Sequence, residues 1–533
     1  MKRFYWGARD EATMPDGTLT SYEQVPYESA PVPGAHPDNL AAVATLFGLN
    51  PAPVENCRVL ELGCATGGNL ISIADSVPGS RCLGIDLSPS HIAAGREVIR
   101  AAELRNIELR TGSILYIGPD WGEFDYIICH GVWSWVPPAV QDHILNVCAR
   151  NLAPHGVVYV SYNVYPGWHI AGMVRDMVNY HGRRYPDPQT RVNEVRRFLD
   201  FLTKLVERDP DNALYHQLLS QQVEDLRESG DAYLFHEYLE EFNQPVYFHQ
   251  FAERASAAGL QFLSEVAVSM MGGNLSGEVK QSLHEWSEDI IAYEQYLDFV
   301  RNRRFRRTLL CHASESINRT PEPEAMRRFR FTTLAEAPRE AADPTANAAE
   351  QFHGPKGRTW TTNNPWLRAT VRLVSAATPR SLSFAELTQA VPHVLPEGVG
   401  PDKQRLALAL FQGLLSGLFE AHVFEPAFAT ELSDWPVASL LARVTTDKQH
   451  RAISRRHRMF DMEGLPRQLL VALDGSRDRG ALIELMAQRV RAGVPLLDEN
   501  NEPIRDPELV EQYLARGIGD VLRRFARNAL LVG

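Results

Sequence analysis

The chain has 533 residues, 44% of them hydrophobic and 23% charged, with a formal net charge of −12. That length exceeds what one hydrophobic core serves and calls for about two to four domains. The acidic balance argues against nucleic acid as the main partner, because a phosphate backbone is bound by a basic face. The six cysteines form no CxxC pair and have no histidine at zinc spacing. No metal site is therefore expected, and the thiols read as reduced and buried in a cytoplasmic protein. The opening MKRFYWGARDEATMPDG lacks the apolar run of a secretory signal, and no run of about 18 apolar residues offers a membrane span.

Residues 1–50 are rich in Pro and Tyr and turn helical from about Asp38. From 57 to 162, strand patterns (RVLELG, CLGID, IELRTG, FDYIICHG and VVYVSYN) alternate with helical ones. That alternation predicts an α/β domain with a parallel sheet and crossover helices. Val192, Val195, Leu199, Leu202 and Val206 then recur at helical spacing, as do Leu214, Leu218 and Leu226, predicting a helical insertion over 183–243. The α/β pattern resumes with the helix HQFAERASAAGL and the strand QFLSEVAV. A helical stretch follows over 276–300, and RRTLLCHA is a further strand, the seventh, with the core closing near 318. PREAADPTANAAEQ (338–351) reads as a weakly ordered connector. Residues 366–424 show three helical patterns and a strand, the order of a winged helix. Phe384 and Leu387 lie on its second helix; Leu406, Leu410, Phe411, Leu414 and Leu418 lie on or just past the third. Lys403 and Arg405 make no basic stripe and are offset by Glu397, Asp402 and Glu420, so this segment reads as a protein-contact module. The remainder is mostly helical. The expected organisation is a core over 1–318, a middle domain over 319–430 and a C-terminal domain over 431–533.

The segment VLELGCATGGNL (59–70), followed by GIDLS (84–88), carries the strongest functional signal. A strand delivers Glu61 and Gly63, and the loop runs through Ala65 and Gly67 into a helix bearing Leu70, Ile73 and Ala74. Glycine permits positive φ and a backbone approach that a side chain would block. Asp86 closes the second strand, where a carboxylate accepts both ribose hydroxyls of an adenosine ligand. Gly63 and Gly67 stand four apart, outside the GxGxxG register that sets a pyrophosphate on a helix start, which counts against a dinucleotide enzyme.

These motifs resemble those of class I S-adenosylmethionine-dependent methyltransferases. ELGCATG is similar to their motif I, GIDLS to motif II, and FDYIICHGVWSWVPP (124–138) to the motif IV strand and its catalytic loop. The resemblance implies S-adenosyl-L-methionine as cofactor and a Rossmann-like seven-stranded sheet. It also implies adenine contact at RTGSI (110–114), where Ser113 stands in place of a frequent Asp, and where Leu87 and Ile114 sandwich the ring. The cofactor set so implied is Tyr22, Glu61, Gly63, Cys64, Ala65, Gly67, Asn69, Asp86, Leu87, Gly112, Ser113, Ile114, His130, Gly131 and Val132. The patterns YEQVPYES…HP (22–37), HGVWSWVP (130–137), SYNVYPGWH (161–169) and FNQPVYFHQF (242–251) are together similar to bacterial methyltransferases with a regulatory domain. That group includes the rickettsial protein lysine methyltransferases.

Methyl transfer to an amine requires the neutral amine. Lysine starts at a pKa of about 10.4, so a site must help it lose a proton, by desolvation or through a Tyr or His relay. Trp133 and Trp135 follow the fourth strand; Tyr162, Tyr165, Trp168 and His169 follow the fifth. Ligands of an α/β sheet bind outside the carboxyl ends of its strands. Trp133, Tyr162, Tyr165, Trp168 and His169 are therefore the catalytic candidates, an aromatic cluster able to hold a lysine by cation–π and apolar contact. The plainer reading is core or lid packing. His236 and Glu237 could act as an acid–base pair, although such a pair on an amphipathic helix is more often structural. Tyr22, Tyr27 and His36 line a lid or simply dock the arm. RNRRFRR (301–307) and RAISRRHR (451–458) read as a solvated face or an interdomain salt-bridge network. The expected activity is protein lysine N-methylation. Methylation of a small natural-product molecule and a non-catalytic cofactor-sensing interaction protein are the alternatives. The expected partners are the protein or small-molecule acceptor, with no nucleic acid and no membrane; a homodimer is left open.

Overall fold

The computed structural model describes residues 29–273, 275–338, 349–396, 399–497, 502–504 and 506–533. A short arm leads into α1 (Pro37–Leu46), capped by the His36 side chain, which accepts from the Asp38 amide. The transferase core then alternates β1 (Arg58–Leu62), α2 (Gly68–Ser76), β2 (Arg81–Asp86), α3 (Pro89–Ala101), β3 (Ile107–Thr111), β4 (Phe124–Cys129), α4 (Pro138–Asn151) and β5 (Leu152–Asn163). After the insertion come α8 (Phe248–Ala257), β6 (Leu260–Glu265), α9 (Gly277–Trp286), α10 (Ile290–Arg301) and β7 (Phe305–His312). The seven strands lie in the order β3-β2-β1-β4-β5-β7-β6.

β4 is buried along its whole length, as a central strand covered on both faces should be, and so reads as a continuous apolar run. The sheet is not wholly parallel. β7 slots between β5 and β6 and pairs antiparallel with both; hydrophobic patterning reports burial and carries no strand direction. Leu40 and Val43 of α1 cover one face with Val59, Tyr126, Tyr159 and Leu309. Leu60, Ile127, Val158, Tyr162 and Phe251 belong to the other.

The insertion is helical, formed by α5 (Gly167–Gly182), α6 (Pro188–Val206), α7 (Ala213–Arg227), and a turn at Asp231–Leu234 that continues as a π-helical turn, Phe235–Leu239. Val174, Val192, Val195, Leu199, Leu219, Val223 and Leu226 form its core. Leu214 and Leu218 are exposed, so the apolar stripe of α7 runs through Leu219, Val223 and Leu226; of the three positions expected, Leu226 lies on it and Leu214 and Leu218 do not. Beyond the core, β8 (Arg330–Thr332), β11 (Leu382–Ser383) and β12 (Glu420–His422) make a three-stranded sheet in the order β11-β8-β12; β9 (Glu350–His353) and β10 (Thr359–Thr362) pair separately. Helices α11 (Pro365–Ala377), α12 (Phe384–Ala390) and α13 (Lys403–Leu415) pack there. Phe331, Leu387 and Leu410 share one apolar cluster with Leu40 and Val59, so this region adjoins the α1 face of the core. The C-terminal region holds α14 (Leu440–Gln449), the hairpin β13 (Arg451–Ile453) and β14 (Met459–Asp461), α15 (Gly464–Ala472), α16 (Arg479–Arg491) and α17 (Pro507–Arg527), with its own core around Leu470, Leu482 and Phe525.

Of the two basic runs, RNRRFRR is solvated at Arg304, but Arg303 and Arg306 are buried and belong to an ion-pair network within the core. Arg306 is fully buried, with Nε 2.8 Å from Asp298, Nη1 2.7 Å from Glu265 and Nη2 3.0 Å from Glu294. Arg303 pairs with Asp298 at 3.1 Å. Burying a guanidinium is tolerable when its donors are matched by carboxylates. RAISRRHR does form interdomain ion pairs, described below.

Candidate active site

β1 carries Glu61 to the carboxyl edge of the sheet. The loop beyond it turns through Gly63 (φ 69), Ala65 (φ 47) and Gly67 (φ 76). Ala65 occupies a conformation that costs a non-glycine residue about 1–2 kcal/mol, and it is held there: its amide donates to Asp86 Oδ2 at 2.8 Å, while Ser88 N donates to Oδ1 at 2.9 Å. The amides of Gly63 and Cys64 both donate to Ile85 O, at 2.8 and 3.0 Å. A Cβ on Gly63 would lie 2.4 Å from Val132 Cγ2, so the loop after β1 abuts the loop after β4. The Cys64 thiol is buried and raised well above its usual range by burial, leaving its backbone as the part available to a ligand.

Glu61 is 4% exposed. Its Oε1 accepts from Asn69 Nδ2 at 2.8 Å, and its Oε2 has no hydrogen-bond partner among the described residues. Burial, reinforced by Asp86 and opposed by the Asn69 bond, pushes its carboxyl up to about 8. A buried carboxylate oxygen without a hydrogen-bond partner among the described residues, beside the Gly63–Gly67 loop, fits a cationic ligand. Asn69 Oδ1 accepts from Val32 N and from His457 Nε2, both at 2.9 Å, so its side chain is held within the protein.

Leu87 is exposed at the end of β2, and Gly112 N donates to Asp86 O at 2.8 Å, joining that end to β3. Ser113 and Ile114 are half-buried beside it, and Ser113 Oγ accepts from Leu115 N at 3.2 Å, capping a short turn.

After β4, His130 Nδ1 is 2.8 Å from Tyr159 Oη, and burial, with Arg307 nearby, lowers its imidazole to about 4, which keeps it neutral. Gly131 (φ 67) faces open space, and its amide donates to Ser161 Oγ at 2.8 Å. Two of the catalytic candidates belong to the core. Trp133 is fully buried, with its ring centroid 5.5 Å from that of Tyr162 and 5.2 Å from that of Phe251. Tyr162 stacks on Phe251 at 3.9 Å, and its hydroxyl lies 2.9 Å from Thr308 Oγ1. β5 alternates its side chains between faces, and Tyr162 points with Val158 and Val160 into the apolar layer.

The other three make two separate sets of contacts. Tyr165 stacks on His169 at 4.2 Å and lies 5.3 Å from Tyr247. His169 Nε2 is 3.2 Å from Tyr247 Oη. Trp168, buried, meets Trp135 edge-on at 6.4 Å. Tyr247 was missed as a site residue; it follows the insertion and is brought in by the bridge between Val164 and Val246. His236 does not pair with Glu237: its Nδ1 is 2.7 Å from Glu240 Oε1, one turn on. His36 docks the arm, with Nε2 3.0 Å from Ser76 Oγ. Tyr22 and Tyr27 lie outside the described residues. Among the described residues no group of His, Cys, Asp and Glu could hold a metal ion, and no helix is long and apolar enough to cross a membrane.

Three family models match the chain: "Methyltransferase domain" over residues 59–156, "Predicted methyltransferase regulatory domain" over 230–312, and "PKMT, C-terminal winged helix domain" over 434–530. An uncharacterised Rickettsia prowazekii protein, RP789, is 34% identical over 96% of this chain and 93% of its own length. The structure of PKMT2 from Rickettsia typhi matches 95% of this chain and 100% of that one, at 28% identity and a TM-score of 0.85; the same protein in complex with AdoHcy matches at 0.84. The chain belongs to the class I S-adenosylmethionine-dependent methyltransferases that carry a regulatory domain. The cofactor of this methyltransferase is S-adenosylmethionine. The winged-helix match falls on 434–530, downstream of the 366–424 segment whose helix order pointed to such a domain.

Proposed function

We propose that this methyltransferase modifies lysine side chains of a protein. The observation that carries the reading is the contact of Tyr165, just past β5, with His169 and with Tyr247, which follows the insertion; Trp135, past β4, and Trp168 form a second aromatic contact. Full-length similarity to PKMT2 supports it.

In this reading Asp86 takes the ribose hydroxyls, and the backbone of Gly63, Cys64, Ala65 and Gly67 lies against the cofactor. Glu61 offers Oε2 to a cationic group. Leu87, Gly112, Ser113 and Ile114 form the adenine side, and His130, Gly131 and Val132 the side toward the acceptor. When bound, the cofactor supplies an electrophilic methyl group. The chain's own work is to deliver a neutral amine in line with it. Aromatic faces hold the lysine stem and ammonium by cation–π and apolar contact, and by excluding water they lower the cost of losing the proton. Burial, reinforced by Tyr247 and Asp176, raises the Tyr165 phenol above its usual range; it stays protonated and orients the amine through hydrogen bonds. His169, tied to Tyr247 Oη, is the imidazole of the cluster and takes the proton to solvent. We also place the domain boundaries near 318 and 430. The cytoplasm is the proposed compartment, supported by six cysteines that are all unpaired.

Incubating proteins of the source cell with methyl-labelled cofactor and this enzyme, then separating by size and digesting to amino acids, tests the reading. Label in methyl-lysine is the expected result. Label confined to small molecules, or absent beside a competent cofactor-binding control, overturns it.

A further inference from the structure

The RAISRRHR run takes no part in the steps above. Its turn, residues 454–458, links β13 to β14 and is seated by three ion pairs: Arg455 to Asp75 of α2 at 2.8 Å, Arg456 to Glu425 at 2.6 Å, and Arg458 to Glu420 of β12 at 2.7 Å. The histidine within this turn makes different contacts. His457 is in the left-handed region (φ 55) and is 3% exposed. Its Nε2 is 2.9 Å from Asn69 Oδ1, and its Nδ1 is 2.8 Å from Ser72 Oγ. The ring spans two positions one turn apart on α2, directly after the Gly67 loop.

The donors and acceptors along this chain fit one arrangement. With its proton on Nε2, the imidazole donates to Asn69 Oδ1 and accepts from the Ser72 hydroxyl. Asn69 Oδ1 accepts a second bond, from Val32 N at 2.9 Å. Two donors on Oδ1 fix which way the amide faces, and Nδ2 is thereby aimed at Glu61 Oε1, 2.8 Å away. Glu61 is left with Oε2 as its unpartnered oxygen among the described residues. Buried networks of this kind hold one geometry when every member is satisfied.

We infer that His457 is a positioning residue for the cofactor: the C-terminal domain completes the methyltransferase site by fixing Asn69, which holds Glu61 with one oxygen free for the cofactor. Cofactor affinity is thereby set in part by a turn 388 residues away from the residue it orients. The inference rests on the assignment of Glu61 to the cofactor site.

Four full-length variants test it by calorimetry with S-adenosylmethionine and by separating kcat from KM. His457→Asn keeps reach to Ser72 but falls short of Asn69, and is expected to weaken cofactor binding roughly tenfold, with kcat at saturating cofactor within about twofold of the parent. His457→Gln restores a donor near the Nε2 position and should recover affinity to within about threefold of the parent. Arg456→Ala loosens the same turn through Glu425 without touching the relay, and should lower the melting temperature while leaving affinity unchanged. Glu61→Gln is expected to weaken binding; unchanged affinity there overturns the assignment of Glu61 itself. A weakened Glu61→Gln beside a normal His457→Asn overturns the relay alone. Equal losses in Arg456→Ala and His457→Asn also overturn it, since docking in general would then suffice.

Discussion

The amide of Ala65 donates to the carboxylate of Asp86 across 2.8 Å. One side chain therefore holds the left-handed residue of the loop after β1 and, in the proposed reading, also takes the ribose hydroxyls. Asp86→Ala should remove both the loop tether and the ribose bonds, each worth roughly 1.5–3 kcal/mol to a charged acceptor. Calorimetry is expected to show S-adenosylmethionine binding weakened at least roughly 100-fold. Asp86→Asn keeps an acceptor for Ala65 N and should lose less. Parent-like affinity in Asp86→Ala would remove Asp86 from the site.

If Glu61 faces the cofactor, as proposed, it gives binding a pH dependence whose sign is fixed. Its carboxyl is raised from 4.5 to about 8, so it is protonated in the folded protein at neutral pH and ionised in the unfolded chain. Folding therefore loses stability through this group as pH rises from 4.5 toward 8. A cationic cofactor favours the ionised form, so binding expels a proton below pH 8 and affinity should climb with pH, by up to about tenfold per unit, before levelling above 8. Titrations between pH 6 and 9 check this, with Glu61→Gln as the variant expected to be flat. An equal slope in that variant would assign the proton to another group.

Trp133 and Tyr165 separate packing from chemistry. Trp133 is fully buried against Tyr162 and Phe251, so Trp133→Ala should destabilise the core by about 3–5 kcal/mol, read as a fall in denaturation midpoint. Tyr165 is half-buried and contacts the exposed His169 and half-buried Tyr247. Tyr165→Phe should leave stability and cofactor affinity nearly intact and lower turnover, because it acts on the acceptor. Turnover that survives Tyr165→Phe unchanged would place the acceptor site elsewhere.

That contrast shows where sequence is informative. Gly63, Gly67 and Asp86 were legible because a turn with positive φ and a carboxylate at a strand end are local demands, met within thirty positions of chain. Trp133 and Tyr165 look alike in sequence, since each is an aromatic residue just past a strand. Which one enters the core depends on the pleat of β5 and on Phe251, more than eighty residues on. His236 pairs with Glu240, the i,i+4 neighbour that helical spacing places beside it, whereas residues adjacent in sequence such as His236 and Glu237 do not face each other. His457 could not be read at all, because its partners are Asn69 and Ser72 and no local pattern marks a contact between domains.

The seat of the C-terminal domain should open in acid. His36 and His457 lie with ring centroids 5.0 Å apart at this junction, between Asp38, His422 and the arginines of the 454–458 turn. Burial lowers His36 to about 4, with Asp38 opposing and His422 and Arg456 reinforcing the shift. Burial, then His36 itself, drives His457 well below its usual range. Both rings are neutral in the folded protein, whereas in the unfolded chain they take protons as pH falls below about 6.5. Their contribution is thus complete above 6.5 and is lost as pH falls from there toward 4, at up to roughly 1.4 kcal/mol per pH unit for each histidine. Melting temperatures recorded from pH 7.5 down to 5 should hold to about 6.5 and fall steeply below it. His457→Asn removes one of the two titrating rings and should flatten the stability profile. A melting temperature that is level between pH 7.5 and 5, or a slope unaltered in His457→Asn, would mean that these histidines do not govern the junction.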